Sequence, residues 1–384
     1  MSSISSQFRH SIDIPGIFPY SVPVVLIKYN TFSRRKEIII KKGLHAAILS
    51  TILFGMSPVA CKAIVGQMPS PLLAGLLYLG SGLGLAGVVL YQKLPIFNIA
   101  GSLSQWQWGY LAAAIISGGV AAPLLLAFGI RYGTAAEVSL LLNFEAVATT
   151  ILAWLIFHEH IGYRVWIGKA LIIGASIGVV LTGGDGVRLS VPGLAVLSAS
   201  LLWGIDNNLT RELESLPASL LACIKGLSAG IFNVLLSLLL FREPVTALQV
   251  TGTLLIGALS FGASLILFIH ALREIGSART STWFASGPFI GVLLAVFVLG
   301  ERPPREYWAA ALVMLLGLFF LYGERHGHLH QHEQIVRAHP HVHDEHHRHK
   351  HEEEDKEPHD HKHEHEPLTH AHVHWPDIHH RHKH

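Results

Sequence analysis

Residues Thr134 to Gly162 read TAAEVSLLLNFEAVATTILAWLIFHEHIG, and residues Gly276 to Pro303 repeat the pattern 142 positions later as GSARTSTWFASGPFIGVLLAVFVLGERP. The first stretch is apolar over the ~20 residues that cross a bilayer, holds a carboxylate, Glu145, near its middle, and ends in His158-Glu159-His160. In the second, Ala278 answers Ala136, Ser281 answers Ser139, Glu301 answers Glu159, and Trp308 follows as Trp166 does. The register extends back to Gln107 with Gln249 and Arg131 with Arg273, then drifts, so that Phe54-Gly55 with Lys62 matches Trp203-Gly204 with Arg211. A register held this long marks a duplicated membrane segment.

The composition agrees: hydrophobic residues make up 51% and charged residues 14% of the 384 residues, with mean hydropathy +0.43. Ten apolar segments follow one another from Leu44 to Tyr322 with short connections, five to each copy. An odd number of spans per copy sends the second copy through the membrane in the opposite sense. The expected fold is therefore an all-α polytopic membrane protein of ten transmembrane helices in two inverted five-helix repeats. Its divisions are an N-terminal, partly disordered arm (1–42), a first repeat (43–183), a second repeat (190–323) and a tail (324–384). The basic cluster from Arg34 to Lys42 beside the first span places the N-terminus in the cytoplasm, and ten spans return the C-terminus there.

Some functions are excluded. Cys61 and Cys223 lie in apolar segments, so neither a disulfide framework nor a thiolate zinc site is available. A net charge of +2 with scattered basic residues offers no nucleic-acid surface. Gly82 to Gly87 matches G-x-G-x-x-G, yet no strand precedes it and no acidic residue follows at the required distance. The pairs Gly80/Gly84 and Gly174/Gly178 instead have the four-residue spacing that lets helix backbones approach closely in lipid.

A charged side chain inside a span costs about 2.5–3.5 kcal/mol even on lenient insertion scales, so each one needs a reason. Counted along their helices, Glu145, Asp206 and Lys225 all fall ~16–21 Å from the outer surface, near the midplane of a ~30 Å core. The functional reading makes Glu145 a proton-coupling or substrate-binding carboxylate and Lys225 its counter-charge or an anion contact. Asn143, Asp206, Asn207 and Lys62 complete the candidate transport set. The alternative is a structural Asp206–Lys225 ion pair, with Glu145 bonded to an amide such as Asn143 or Asn233. Glu159 and Glu301, at helix ends, read as interfacial capping or salt-bridging groups.

From His326 onward lie 22 of the 27 histidines, mixed with Glu, Asp and Lys. Such a segment cannot bury enough apolar surface to fold, so no structure is expected without a ligand. Its imidazoles suit Zn, Ni, Co or Cu ions, with His339, His341, His343, His346, His347, His349, His359, His361, His363 and His365 the densest candidates. No cofactor is required.

Each half resembles the EamA-type domains of the drug/metabolite transporter superfamily. The resemblance rests on the opening Phe54-Gly55 to Lys62 and Trp203-Gly204 to Arg211, and on fourth-helix ends Phe157-His158-Glu159 and Leu299-Gly300-Glu301. Each end is followed by a Trp-led fifth helix at Trp166 and Trp308. It implies a non-enzymatic carrier of the cell inner membrane, exporting a small metabolite, amino acid or drug by alternating access on an ion gradient. The partners are then a small-molecule substrate and the lipid bilayer, with a homodimer as a candidate assembly. In place of the proline that many family members carry in the fourth helix, and that Pro288 supplies in the second half, the first half has Asn143-Phe144-Glu145-Ala146. The His-rich tail lies outside the family pattern. It supports the alternatives of a divalent metal-ion transporter or a membrane-bound metal-binding or sensing protein.

Overall fold

The computed structural model describes residues 42–157, 162–182, 189–213, 215–322, 326–331, 335–341, 359–365 and 369–374. The arm before residue 42 and the cluster His158-Glu159-His160 lie outside them. Ten long helical segments follow in order: α1 Lys42–Val65, α2 Ser70–Tyr91, α3 Gln105–Tyr132, α4 Ala135–Ile156 and α5 Tyr163–Leu181; then α6 Val191–Arg211, α7 Ala218–Leu240 and α8 Ala247–Ile275, α9 in two pieces, Ser277–Ala285 and Gly287–Leu299, and α10 Arg305–Tyr322. Seven of these, α1 to α5, α7 and α8, are long and apolar enough to cross a membrane. The chain is thus an all-helical polytopic membrane protein in this region.

The repeat is visible in local structure. α3 opens with a capping box in which Ser104 and Gln107 exchange backbone and side-chain bonds, and α8 opens with the same box from Thr246 and Gln249. Each then passes through a seven-residue π-helical stretch, Ile115–Ala121 and Gly257–Ala263, in matching positions. α4 and α9 are both interrupted near their middles. In α9 the cause is Pro288, which cannot donate to the ladder. In α4 the Asn143 side chain does the work, its Nδ2 donating to Leu140 O at 3.1 Å and holding a carbonyl at the break. Ser286 acts alike in α9, its Oγ donating to Trp283 O at 2.6 Å.

Glycine sets the packing. A Cβ at Gly226 would lie 2.8 Å from Gly82 Cα, and one at Gly230 would lie 2.5 Å from Leu79 N. Gly75 meets Val234 in the same row, so the equivalent helices α2 and α7 run antiparallel with their backbones in contact. Gly204 of α6 likewise abuts Ala148 of α4, and Gly55 of α1 abuts Gly287 of α9. Here lies the physical content of the Phe54-Gly55 and Trp203-Gly204 steps: each repeat's first helix touches the other repeat's fourth. Gly80 makes its expected close contact, against Leu254, but among the described residues nothing lies within 4 Å of the Cβ positions of Gly174 and Gly178. Their spacing does not mark a helix contact among the described residues.

Residues 160–172 and 313–384 form a separate compact unit, in which Gly168 lies against Gly317 and Leu321. Four short strands are described in its tail. β1 (His326–Gln331) pairs antiparallel with β4 (Thr369–His374), and β2 (Ile335–His341) with β3 (His359–His365). Histidine at alternate positions gives these segments the period of two that a strand needs.

Because Gly226 faces backbone, Gly226→Val must push α7 off α2, whereas Gly174→Val meets open space. Thermal unfolding in detergent is expected to show the first destabilised by about 1–3 kcal/mol and the second unchanged.

Candidate functional site

α6 carries the centre of the site in the run Trp203-Gly204-Ile205-Asp206-Asn207-Asn208. Both Asp206 oxygens accept from Lys225 Nζ of α7 at 2.5 Å, and Thr210 Oγ1 donates to Oδ1 at 3.2 Å. The pair is withdrawn from solvent, with side chains 6% and 15% exposed for Asp206 and Lys225. A Cβ at Gly118 would overlap the Asp206 carboxylate, so the π-helical stretch of α3 needs glycine there. The Gly118 carbonyl accepts from Tyr78 OH at 2.7 Å and from Trp203 Nε1 at 3.0 Å, joining α2, α3 and α6.

Glu145, on α4, packs against the next face of α6. Asn207 Nδ2 donates to Glu145 Oε1 at 3.0 Å and to Thr149 Oγ1 at 3.1 Å, while Asn208 Nδ2 donates to Thr149 O at 3.1 Å. Adjacent residues of one helix thus take part in two carboxylate systems, one neutralised by a cation and one hydrogen-bonded by a neutral amide. Beside them opens a cavity of about 260 Å³, lined by Tyr78, Ser81, Asn207, Thr210, Lys225 and Phe261 with apolar neighbours. Asn207 and Lys225 face the cavity, and Glu145 and Asp206 are their partners behind. Aromatic rings continue from it: Phe261 lies 6.0 Å from Phe54, which lies 4.8 Å from Phe284.

Four of the six expected transport residues, Glu145, Asp206, Asn207 and Lys225, therefore come together. Asn143 serves the helix break instead. Lys62 is elsewhere: its Nζ donates to the carbonyls of Ile130, Arg131 and Gly133 at 2.9, 3.0 and 2.7 Å, a cation on the carboxyl end of α3, where the helix dipole favours it. Glu301 bonds the amides of Ala135 and Ala136, as a capping group should. Glu137 is a buried carboxylate that the charge pattern alone does not single out; it accepts from Ser190 Oγ. Its position three residues after the N-cap Thr134 is the signal that marks it. Tyr78 and Trp203 are site residues too, legible only as polar-tipped aromatics in glycine-rich helices.

Among residues with described side chains, no group of three His, Cys, Asp or Glu gathers as a metal site. In the tail the backbone register sets His339 opposite His361 and His341 opposite His359, with His363 and His365 opposite Arg337 and Ile335. His343, His346, His347 and His349 lie outside the described residues.

Residues 41–181 and 192–323 each match the EamA-like transporter family. The chain belongs to that family. An uncharacterized transporter of Methanothermobacter thermautotrophicus is 26% identical over 300 residues, 73% of this chain and 86% of that one. A Salmonella typhimurium protein named as a probable amino-acid metabolite efflux pump is 24% identical, covering 74% of this chain and 96% of its own. The pseudopaline exporter of Pseudomonas aeruginosa is 30% identical over 131 residues, 33% of this chain and 44% of its own. A solved crystal structure superposes with a TM-score of 0.54 at 16% identity, covering 74% of this chain and 95% of that one, and so shares the fold. This EamA protein is accordingly an integral membrane transporter of the drug/metabolite superfamily, and its role by family is not enzymatic.

Removing one partner of a buried ion pair leaves an uncompensated charge, a loss of about 3–5 kcal/mol, whereas replacing both by apolar residues is often neutral. Lys225→Met is expected to lose that stability in thermal unfolding, and Asp206→Leu/Lys225→Met to recover most of it. Recovery would show that the pair is not needed for folding itself.

Proposed function

We propose that this EamA protein exports a small zwitterionic metabolite of the amino-acid class by alternating access. The carrying observation is the cavity wall on which Lys225 and Asn207 stand side by side, backed by Asp206 and Glu145. Lys225 offers a cation to a substrate carboxylate, and Glu145 an anion to an ammonium that displaces the Asn207 amide. A volume of about 260 Å³ lies just below the ~300–1,000 Å³ of drug-sized sites, which favours a small metabolite. The relative named for amino-acid metabolite efflux supports the same class.

The proposed frame is ten spans in two inverted five-helix repeats, supported by the antiparallel contact of the equivalent α2 and α7. Both termini face the cytoplasm of a cell whose inner membrane holds the protein, supported by the basic cluster before α1. Glu145 is the coupling group, exchanging a proton as each side opens, because its hydrogen-bond partner is a neutral amide while Asp206 is already neutralised by Lys225.

Purified protein in liposomes, given a pH gradient and a mixture of L-amino acids, tests this reading. Glu145→Gln keeps size and hydrogen bonding but cannot titrate, so gradient-driven transport is expected to disappear while substrate exchange persists. Wild-type rates with unchanged pH dependence would remove Glu145 from the mechanism, and no transport of any amino acid by the wild type would remove the substrate class.

A further inference from the structure

The turn between α3 and α4 is held by charges from two other helices. Lys62, near the end of α1, donates to three carbonyls at the end of α3. Glu301 follows Gly300, whose φ of 67° reverses the chain at the end of α9, and its own N–H returns to Ala295 O at 3.1 Å. The reversal brings its two oxygens to the first amides of α4, Ala135 at 2.8 Å and Ala136 at 3.0 Å. The third amide of that turn, from Glu137, is taken by Thr134 Oγ1 at 3.1 Å, and Glu137 itself binds Ser190 at the start of α6. A cation thus sits on a helix carboxyl end and an anion on the following amino end, each in its favoured field. One turn further along α4, the fully buried Ser139 lies against Gly291 of α9.

We propose that Glu301 and Lys62 form a gate at the membrane face where α1 ends, closed in this structure, and that the path on that side opens when Glu301 leaves the α4 amides. The geometry sets this contact apart from an ordinary cap. An internal cap comes from the neighbouring residue, as Thr134 supplies, whereas Glu301 reaches across 166 positions from the second repeat to the first. The cavity is lined instead by residues near the opposite ends of α6 and α7, Thr210 and Ala218. A carrier with its cavity toward one face must be shut at the other, and the clamp lies where that closure belongs. The amides of Ala135 and Ala136 are unsatisfied when Glu301 leaves unless water replaces it, so opening and wetting occur together.

The gate rests on the alternating-access reading but its test needs no substrate. Ser139→Cys, in a chain with Cys61→Ser and Cys223→Ser, is labelled with a membrane-impermeant maleimide in right-side-out and inverted vesicles. Adding Glu301→Gln removes the charge and one acceptor, and is expected to raise the labelling rate about tenfold, only from the face where α1 ends. Ala135→Pro is a second, milder variant. Proline suits the first helical position, and Thr134 at φ −89° and ψ 152° already has the extended backbone that precedes it, so only an amide bonded to Glu301 is lost. It too is expected to raise labelling from that face. Unchanged labelling in both variants, or an equal rise from both faces, would overturn the gate and leave Glu301 a structural cap.

Discussion

The arrangement of the site depends on an ion pair held inside a helical membrane region. Asp206 and Lys225 belong to consecutive helices, and neither charge is tolerable there without the other. Seating the pair dictates its surroundings. In the π-helical stretch of α3, Gly118 must lack a side chain to admit the carboxylate, and its own carbonyl is held by Tyr78 and Trp203. Lys225 meets both Asp206 and the cavity, so a substrate that engages it must disturb the pair that fixes three helices. Binding and helix rearrangement are thereby linked through one side chain.

Much of this was legible in the sequence, because duplication repeats physics as well as letters. The offset between halves carries through to matching capping boxes, matching π-helical stretches and matching breaks in α4 and α9. The midplane charges could be found because a bilayer makes each one costly, and counting residues along a helix gives depth. Partners were harder. Depth alone cannot tell whether Glu145 meets Lys225 or Asn207, since that turns on helix rotation, which packing decides. Lys62 stands apart from the cavity for a related reason: basic residues near helix ends serve substrates or carbonyls equally well, and only the fold brings the end of α3 beneath it. The break in α4 likewise has no proline to announce it, and Asn143 is ambiguous until its amide is seen on Leu140. Spacing of Gly174 and Gly178 is a necessary condition for close packing, not a sufficient one.

Charge is distributed unevenly over repeats that share one architecture. Position for position, Glu145 corresponds to Gly287, and the ring of Phe54 stands where the second repeat has Trp203. The contact between α4 and α6 therefore carries Glu145, Asp206 and Asn207, and the corresponding contact between α9 and α1 carries the rings of Phe284 and Phe54. A duplicated frame gives two related halves, and unequal side chains at corresponding positions of both give the cavity its polarity. Phe261 lines the cavity together with the Asn207 amide and the Lys225 ammonium, so an occupant is offered both polar contacts and a ring.

The central claim is that the cavity beside Lys225 and Asn207 is where substrate passes. Thr210 lines it and bonds Asp206, so Thr210→Cys in a chain with Cys61→Ser and Cys223→Ser reports on its occupancy. The decisive measurement is thiol labelling at this position in membranes of defined orientation, with and without a saturating mixture of L-amino acids. The account predicts labelling from the face opposite the Glu301 clamp and protection by the transported amino acid. Labelling that no amino acid slows, or that proceeds equally from both faces, would contradict it.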